Sequence, residues 1–183
     1  MTNPTNACSN KILIFIFLIG ALFLTQSCQN RERRITNLEK KAIIDSAKVT
    51  VEKVFQSSNN LQFIEGLNYY SEEPDGYYTN NGTILTLTDL KKSYCQIGSS
   101  VEILKNTIIS WNAKFLSKNT VAFTLPIHIK IKLVGIPEYN GQLVWSGIVQ
   151  KRNQEWLIIQ SHESWLNCME VLSALTGSDT NVK

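Results

Sequence analysis

Histidine is scarce in this chain: His128 and His162 are the only two among 183 residues. Neither stands at metal-ligand spacing to a cysteine, so no zinc site can be read from the sequence. An excess of one charge is lacking too. The 18 basic residues are scattered and set against 15 acidic ones, which argues against the basic surface that nucleic acid requires. No serine sits in a nucleophile-elbow sequence. There is no internal repeat and no low-complexity block. The longest apolar run has 13 residues, whereas a membrane-spanning helix needs roughly 18 to 25.

That run, ILIFIFLIGALFL at residues 12–24, follows Lys11 and leads into TQSCQN. One basic residue, a short apolar stretch and a small residue at its end describe a secretory signal peptide. Ser27 directly before Cys28 resembles the lipobox of bacterial lipoproteins, in which the cysteine thiol is acylated and becomes the new N-terminus. Thr25 departs from that motif, which usually has leucine there; Leu24 lies one place further out. An ordinary secretory signal or an uncleaved anchor is the alternative. The resemblance implies a signal peptide at 1–27, lipid on Cys28, and a cell-envelope protein anchored to a bacterial membrane, periplasmic or surface-facing. Several acyl chains on one cysteine would hold firmly, since each buried methylene contributes ~0.8 kcal/mol and a single chain is marginal. Lys11 is the one charged residue before Cys28, so the mature chain carries 17 basic and 15 acidic residues, a net +2. RERR at 31–34 reads as part of a solvated tether over 28–37. Cys95 and Cys168 then remain. An exported compartment permits their pairing, and two buried thiols fit equally well.

About 150 residues are left, the size of one domain. Thr36 and Glu39 form a capping-box pair, and Ile44, Ala47, Val51, Val54 and Phe55 recur at helical spacing behind it. A short helical turn ending at Gly66 and a third helix, capped by Thr86 or Thr88 and stopped near Gly98, follow. Turn chemistry at Pro74-Asp75-Gly76 and Asn80-Asn81-Gly82 brackets tyrosine-rich strand fragments. Beyond residue 100 the period changes to two, with strands expected over 101–115, 120–134, 141–151 and 155–165. Val121, Phe123, Leu125, Ile127, Ile129, Ile131 and Leu133 share one face, and Thr124, His128, Lys130 and Lys132 the other. Pro126 on the polar row marks a bulge or an edge, because it cannot donate to a ladder. Asn140-Gly141 and residues 152–154 supply hairpin turns. The expectation is an α+β domain with helices first and a long antiparallel meander after them.

That element order is similar to the nuclear transport factor 2-like superfamily and its SnoaL-like members. Many SnoaL-like domains end on a strand patterned tryptophan, x, isoleucine, x, histidine, x, histidine, x, serine. EWLIIQSHESW resembles it, with Trp156, Ile158, Gln160, His162 and Ser164 in those places and Gln160 replacing the first histidine. The resemblance covers residues 39–165 and implies a cone-shaped, strongly curved antiparallel sheet wrapped around the N-terminal helices. The domain is expected over 38–166 and a C-terminal tail over 167–183.

In such a cone Trp156 and Ile158 would lie deep, while Gln160, His162 and Ser164 would reach the wet end of a pocket. One of Tyr77 and Tyr78 would add a ring wall and hydroxyl; Tyr78 is taken as the inward one. The reading is a module that binds a small, partly apolar molecule through Tyr78, Gln160, His162 and Ser164, without cofactor or metal. The alternatives are an isomerase- or hydratase-type enzyme with His162 as general base, or a dimerisation or assembly module. His162 could also simply close the core. Asp75 is a candidate partner at the rim, and Glu163 falls on the other face from His162 by parity. His128 is expected at the surface. Leu157, Ile159, Ser161, Glu163 and Trp165 form an outer row less polar than a solvated face, which suggests a homodimer or cover by residues 166–175. No pocket aspartate with an oxyanion-binding tyrosine can be recognised.

Overall fold

A computed structural model describes residues 34–73, 76–80 and 82–167. The signal sequence, Cys28, Asp75, Cys168 and all of the tail beyond Asn167 lie outside the described residues. Among the described residues no helix is long and apolar enough to cross a membrane.

Helix α1 spans Asn37–Asn59 and α2 spans Phe63–Gly66, followed by a 3-10 turn at Leu67–Tyr69. The stripe expected on α1 is the one it buries: Ala47 and Val51 are fully enclosed, with Ile44, Val54 and Phe55 packed around them. Strands β1 (Tyr77–Asn80) and β2 (Thr83–Leu85) precede α3 (Leu87–Ile97). Thr86 caps α3 through a capping box with Asp89, satisfying two amide donors that would otherwise face water unpaired. Such a cap contributes about 1 kcal/mol.

The second half is β3 (Val101–Ile108), β4 (Asn112–Ser117), β5 (Thr120–Leu133), β6 (Tyr139–Arg152) and β7 (Glu155–Trp165). These strands form a curled sheet in the order β2-β1-β7-β6-β5-β3, with β4 also on β5. Helix α1 packs against β3 through β7, so the core lies between it and the sheet. The apolar row of β5 faces that core, with Val121, Phe123, Leu125, Ile127 and Ile129 buried. His128 is exposed on the outer row.

Three expectations change. The stretch expected as one strand over 101–115 is two, β3 and β4, and Pro126 accounts for the break. Its carbonyl accepts from the Ile109 amide (2.9 Å), so its missing N–H faces the gap between those strands, where no ladder bond is lost. Asn140-Gly141 is not a turn. It lies in β6, and the chain reverses over residues 134–138, with Gly135 at φ 75°. Gly141 is needed because the Tyr139 ring lies where a Cβ would stand. Last, the sheet is mixed: β1 runs parallel to β7, while every other pair is antiparallel. The turn at 152–154 is as expected, Asn153 and Gln154 both having positive φ.

Candidate functional site

The terminal strand carries a bulge. Ile148 pairs with Gln160 but Val149 pairs with Ile158, so Ile159 has no partner on β6. Side chains alternate along a strand, and one extra residue exchanges the faces beyond it. Before the bulge Ile158 points inward and is fully buried, with Trp156 packed at the core's edge. After it the inward row is Ser161, Glu163 and Trp165, opposite Gly147, Trp145 and Leu143. Gln160, His162 and Ser164 lie opposite Ile148, Ser146 and Val144 on the outer face, and His162 and Ser164 are exposed.

This reverses the expected arrangement. The three polar residues assigned to the pocket occupy the outside, and three residues assigned to the outside line the inner face. The row expected outside is too apolar for a solvated surface because much of it faces inward. Neighbouring chain holds the bulge from the other edge. The Ile158 carbonyl accepts from the Ser71 amide (2.8 Å) and lies 3.4 Å from the Tyr78 hydroxyl. Tyr70 forms an isolated parallel bridge to Ile158 before β1 takes up the pairing at Gln160.

Tyr78 does face inward, as parity required, and Tyr77 is exposed. The Tyr78 ring is sealed, and its hydroxyl donates to the Ser71 carbonyl (2.9 Å). It therefore braces the 70–78 segment.

The inward polar groups converge on Glu163. Trp165 Nε1 donates to Glu163 Oε1 (2.9 Å). Glu163 is half-buried as a residue, yet desolvation pushes its carboxyl above the usual carboxylate range, with the Trp165 bond opposing. Tyr70 and Tyr94 belong to the same cluster. Burial raises both phenols well above their ordinary value, and the negative charge of Glu163 raises them further. Ser161 hydrogen-bonds to Tyr70 and works against that rise. Both tyrosines thus stay protonated, as hydrogen-bond donors, across the neutral range. Their rings are fixed by aromatic contacts: Tyr94 from α3 stacks on Phe63 (5.3 Å between centroids), and Tyr70 meets Tyr78 edge-on (5.0 Å).

A desolvated carboxyl beside two phenols can accept or hold a proton beside an oxygen-bearing ligand. Sequence reasoning noted the odd polarity of the Ser161, Glu163, Trp165 row but placed it outside. Three consecutive apolar residues, Leu157 to Ile159, were the available sign that alternation breaks there. Tyr70 and Tyr94 had no sequence signal, since they come from different elements and meet only in the fold.

The cluster makes stability pH-dependent. Between the ordinary carboxylate value of 4.5 and its raised folded value, Glu163 keeps in the folded state a proton that the unfolded chain has shed. Stability due to this group is therefore greatest at low pH and is lost as pH rises through that window. Glu163→Gln should remove this contribution, so that melting temperature falls less between pH 5 and pH 8 than in the wild type. An unchanged or steeper fall in the variant would contradict the assignment.

No family model matches the chain, and no curated protein does either. Solved structures do match in fold. One is a nuclear transport factor 2-like superfamily protein from Salmonella enterica, 12% identical, with TM-score 0.58 over 70% of this chain and 91% of that one. A candidate dehydratase of the same family from Streptomyces avermitilis is 12% identical, with TM-score 0.60 over 69% and 97%. A hexachlorocyclohexane dehydrochlorinase, LinA type 3, from Novosphingobium barchaimii is 10% identical, with TM-score 0.62 over 72% and 91%. At such identities the likeness concerns the fold.

Proposed function

We propose, from the premise that this chain has the nuclear transport factor 2-like fold, that its inner sheet face binds a small, partly apolar molecule. The observation that carries this reading is the desolvated Glu163 carboxyl, held by Trp165 beside the Tyr70 and Tyr94 phenols. An unliganded core gains nothing from a carboxyl there, because burying one costs free energy that an apolar residue would not. The binding residues are therefore Glu163, Tyr70, Tyr94 and Trp165, in place of Gln160, His162 and Ser164. A small-molecule library screened by ligand-induced melting shift tests this. Glu163→Gln should lose the shift of any hit and His162→Ala should keep it; the opposite pattern overturns the assignment.

A second reading is favoured by the same carboxyl. A raised carboxylate pKa suits a general base, and the fold neighbours include proteins named as a dehydratase and a dehydrochlorinase. On this reading Glu163, not His162, takes the proton, and a substrate turned over at undiminished rate by Glu163→Gln would eliminate it. Self-association through the outer sheet face keeps weaker support. With Ser161, Glu163 and Trp165 turned inward, only Leu157 and Ile159 remain of the row that suggested it.

The proposal includes the lipid anchor: Cys28 acylated after removal of residues 1–27, with the domain tethered at a bacterial membrane in the cell envelope. Its support is the signal architecture and the position of Cys28. Cys28→Ser should move the protein from the detergent-phase, membrane-bound fraction to the aqueous one. Retention of the variant on membranes would exclude acylation as the anchor.

A further inference from the structure

The groups that shift Tyr70, Tyr94 and Glu163 are each other, Tyr78, Ser161 and Trp165; among the described residues no lysine, arginine or histidine contributes to any of the three. A carboxylate withdrawn from water ordinarily has a cation beside it. Elsewhere in this chain carboxylates do find one, as Glu73 does with Arg152 (2.9 Å) and Glu138 with Lys130 (2.7 Å). Glu163 instead has an indole N–H on one oxygen, Oε1.

The second oxygen is the informative one. The Trp165 bond is the sole hydrogen bond that affects the Glu163 carboxyl. Yet among the described residues no side-chain oxygen or nitrogen is sealed from solvent without a partner. Oε2 therefore has no hydrogen-bond partner among the described residues and keeps some contact with solvent.

The surroundings of Glu163 are aromatic. Trp145 stands directly opposite Glu163 on β6, Trp165 is two residues along on the same face, and Tyr70 and Tyr94 close the cluster from other elements. A carboxylate oxygen among aromatic side chains, with no cation of the described residues on it, is the chemistry that recognises an ammonium group. The carboxylate meets the charge, and the rings meet the polarised alkyl groups around it. A neutral acceptor would be served by the phenols alone and would leave the carboxylate unexplained. An anion would be repelled by the carboxylate.

We propose that the molecule bound on the inner face is an organic cation, an amine or quaternary ammonium on an apolar body, with its charge on Glu163 and its alkyl groups against Trp145, Trp165, Tyr70 and Tyr94. This rests on the small-molecule reading above and names the class of ligand that site takes.

The test is calorimetric titration of the full chain at pH 8 with three probes that share a benzyl body: benzyltrimethylammonium, benzyl alcohol and benzoate. The cation should bind at least about tenfold more tightly than the alcohol, a difference of about 1.4 kcal/mol, and benzoate should not bind. Glu163→Gln should remove the cation's advantage and leave the alcohol's affinity within about twofold. Glu163→Asp, which keeps the charge, should retain a preference for the cation, and it serves if the glutamine variant does not fold. Binding of the alcohol as tightly as the cation overturns this inference and leaves the small-molecule reading standing. Absence of binding by all three probes overturns the inference and counts against the reading beneath it.

Discussion

Deletion of Ile159 should leave this protein with a cooperative unfolding transition within about 5 °C of the wild type, a shift of only about one or two kcal/mol in a domain this long. The residue faces no partner on β6, and it is the extra position that separates Ile158 from Ser161 by three while both point inward. Without it those two residues stand two positions apart, and strict alternation keeps Trp156 and Ile158 inward together with Ser161, Glu163 and Trp165. Gln160, His162 and Ser164 stay on the outer face, so no unpaired polar group enters the core and no buried side chain leaves it. Loss of an ordinary, paired residue of β7 has no such escape, because one half of the strand must then exchange its faces. Circular dichroism through a thermal ramp checks this. A deletion variant that loses its cooperative transition would show that the bulge is needed for the course of the strand itself and not only for the facing of its side chains.

A large effect belongs to the tryptophan facing Glu163. Trp145 is 4% exposed, meets Phe55 of α1 edge-on at 5.8 Å between centroids, and lies across Gly147 of its own strand. The indole occupies the space where a Cβ on residue 147 would stand, so glycine there is a packing requirement and not a turn signal. Trp145→Ala should cost about 3 to 5 kcal/mol and lower the melting temperature by roughly 10 °C. Gly147→Ala, with the indole in place, should cost about 1 to 3 kcal/mol through overpacking. Because one space is contested, the two effects should not add. The double variant should be no less stable than Trp145→Ala alone, giving a coupling of at least about 1 kcal/mol. Simple additivity would mean that the indole can move aside and that the glycine has another cause.

Much of the fold was legible in the sequence. The 3.6-residue stripe of α1, the cap at Thr86, the two faces of β5 and the turn at 152–154 depend on interactions within a few residues, or on one face being oily and the other wet. Pro126 was legible as a defect in the ladder, although which strand would break was not. Asn140-Gly141 misled because a turn dipeptide can equally be a strand position where a neighbouring ring needs room. The candidate site was less legible. Whether Glu163 or His162 faces inward differs by one residue of register, and both choices leave a plausible alternation.

By itself the sequence determined that helices come first and a meander of strands after them, the buried stripe of α1 and the two faces of β5. Each of these follows from local geometry or from the period of apolar residues along the chain. Only the tertiary structure decided that the last strand changes face midway, that Tyr70 and Tyr94 meet Glu163, and that β1 joins β7 in parallel. Those outcomes depend on which carbonyl the Ser71 amide reaches and which residue lies opposite Gly147. Such contacts join positions some 14 to 90 residues apart, and no periodicity along the chain encodes them.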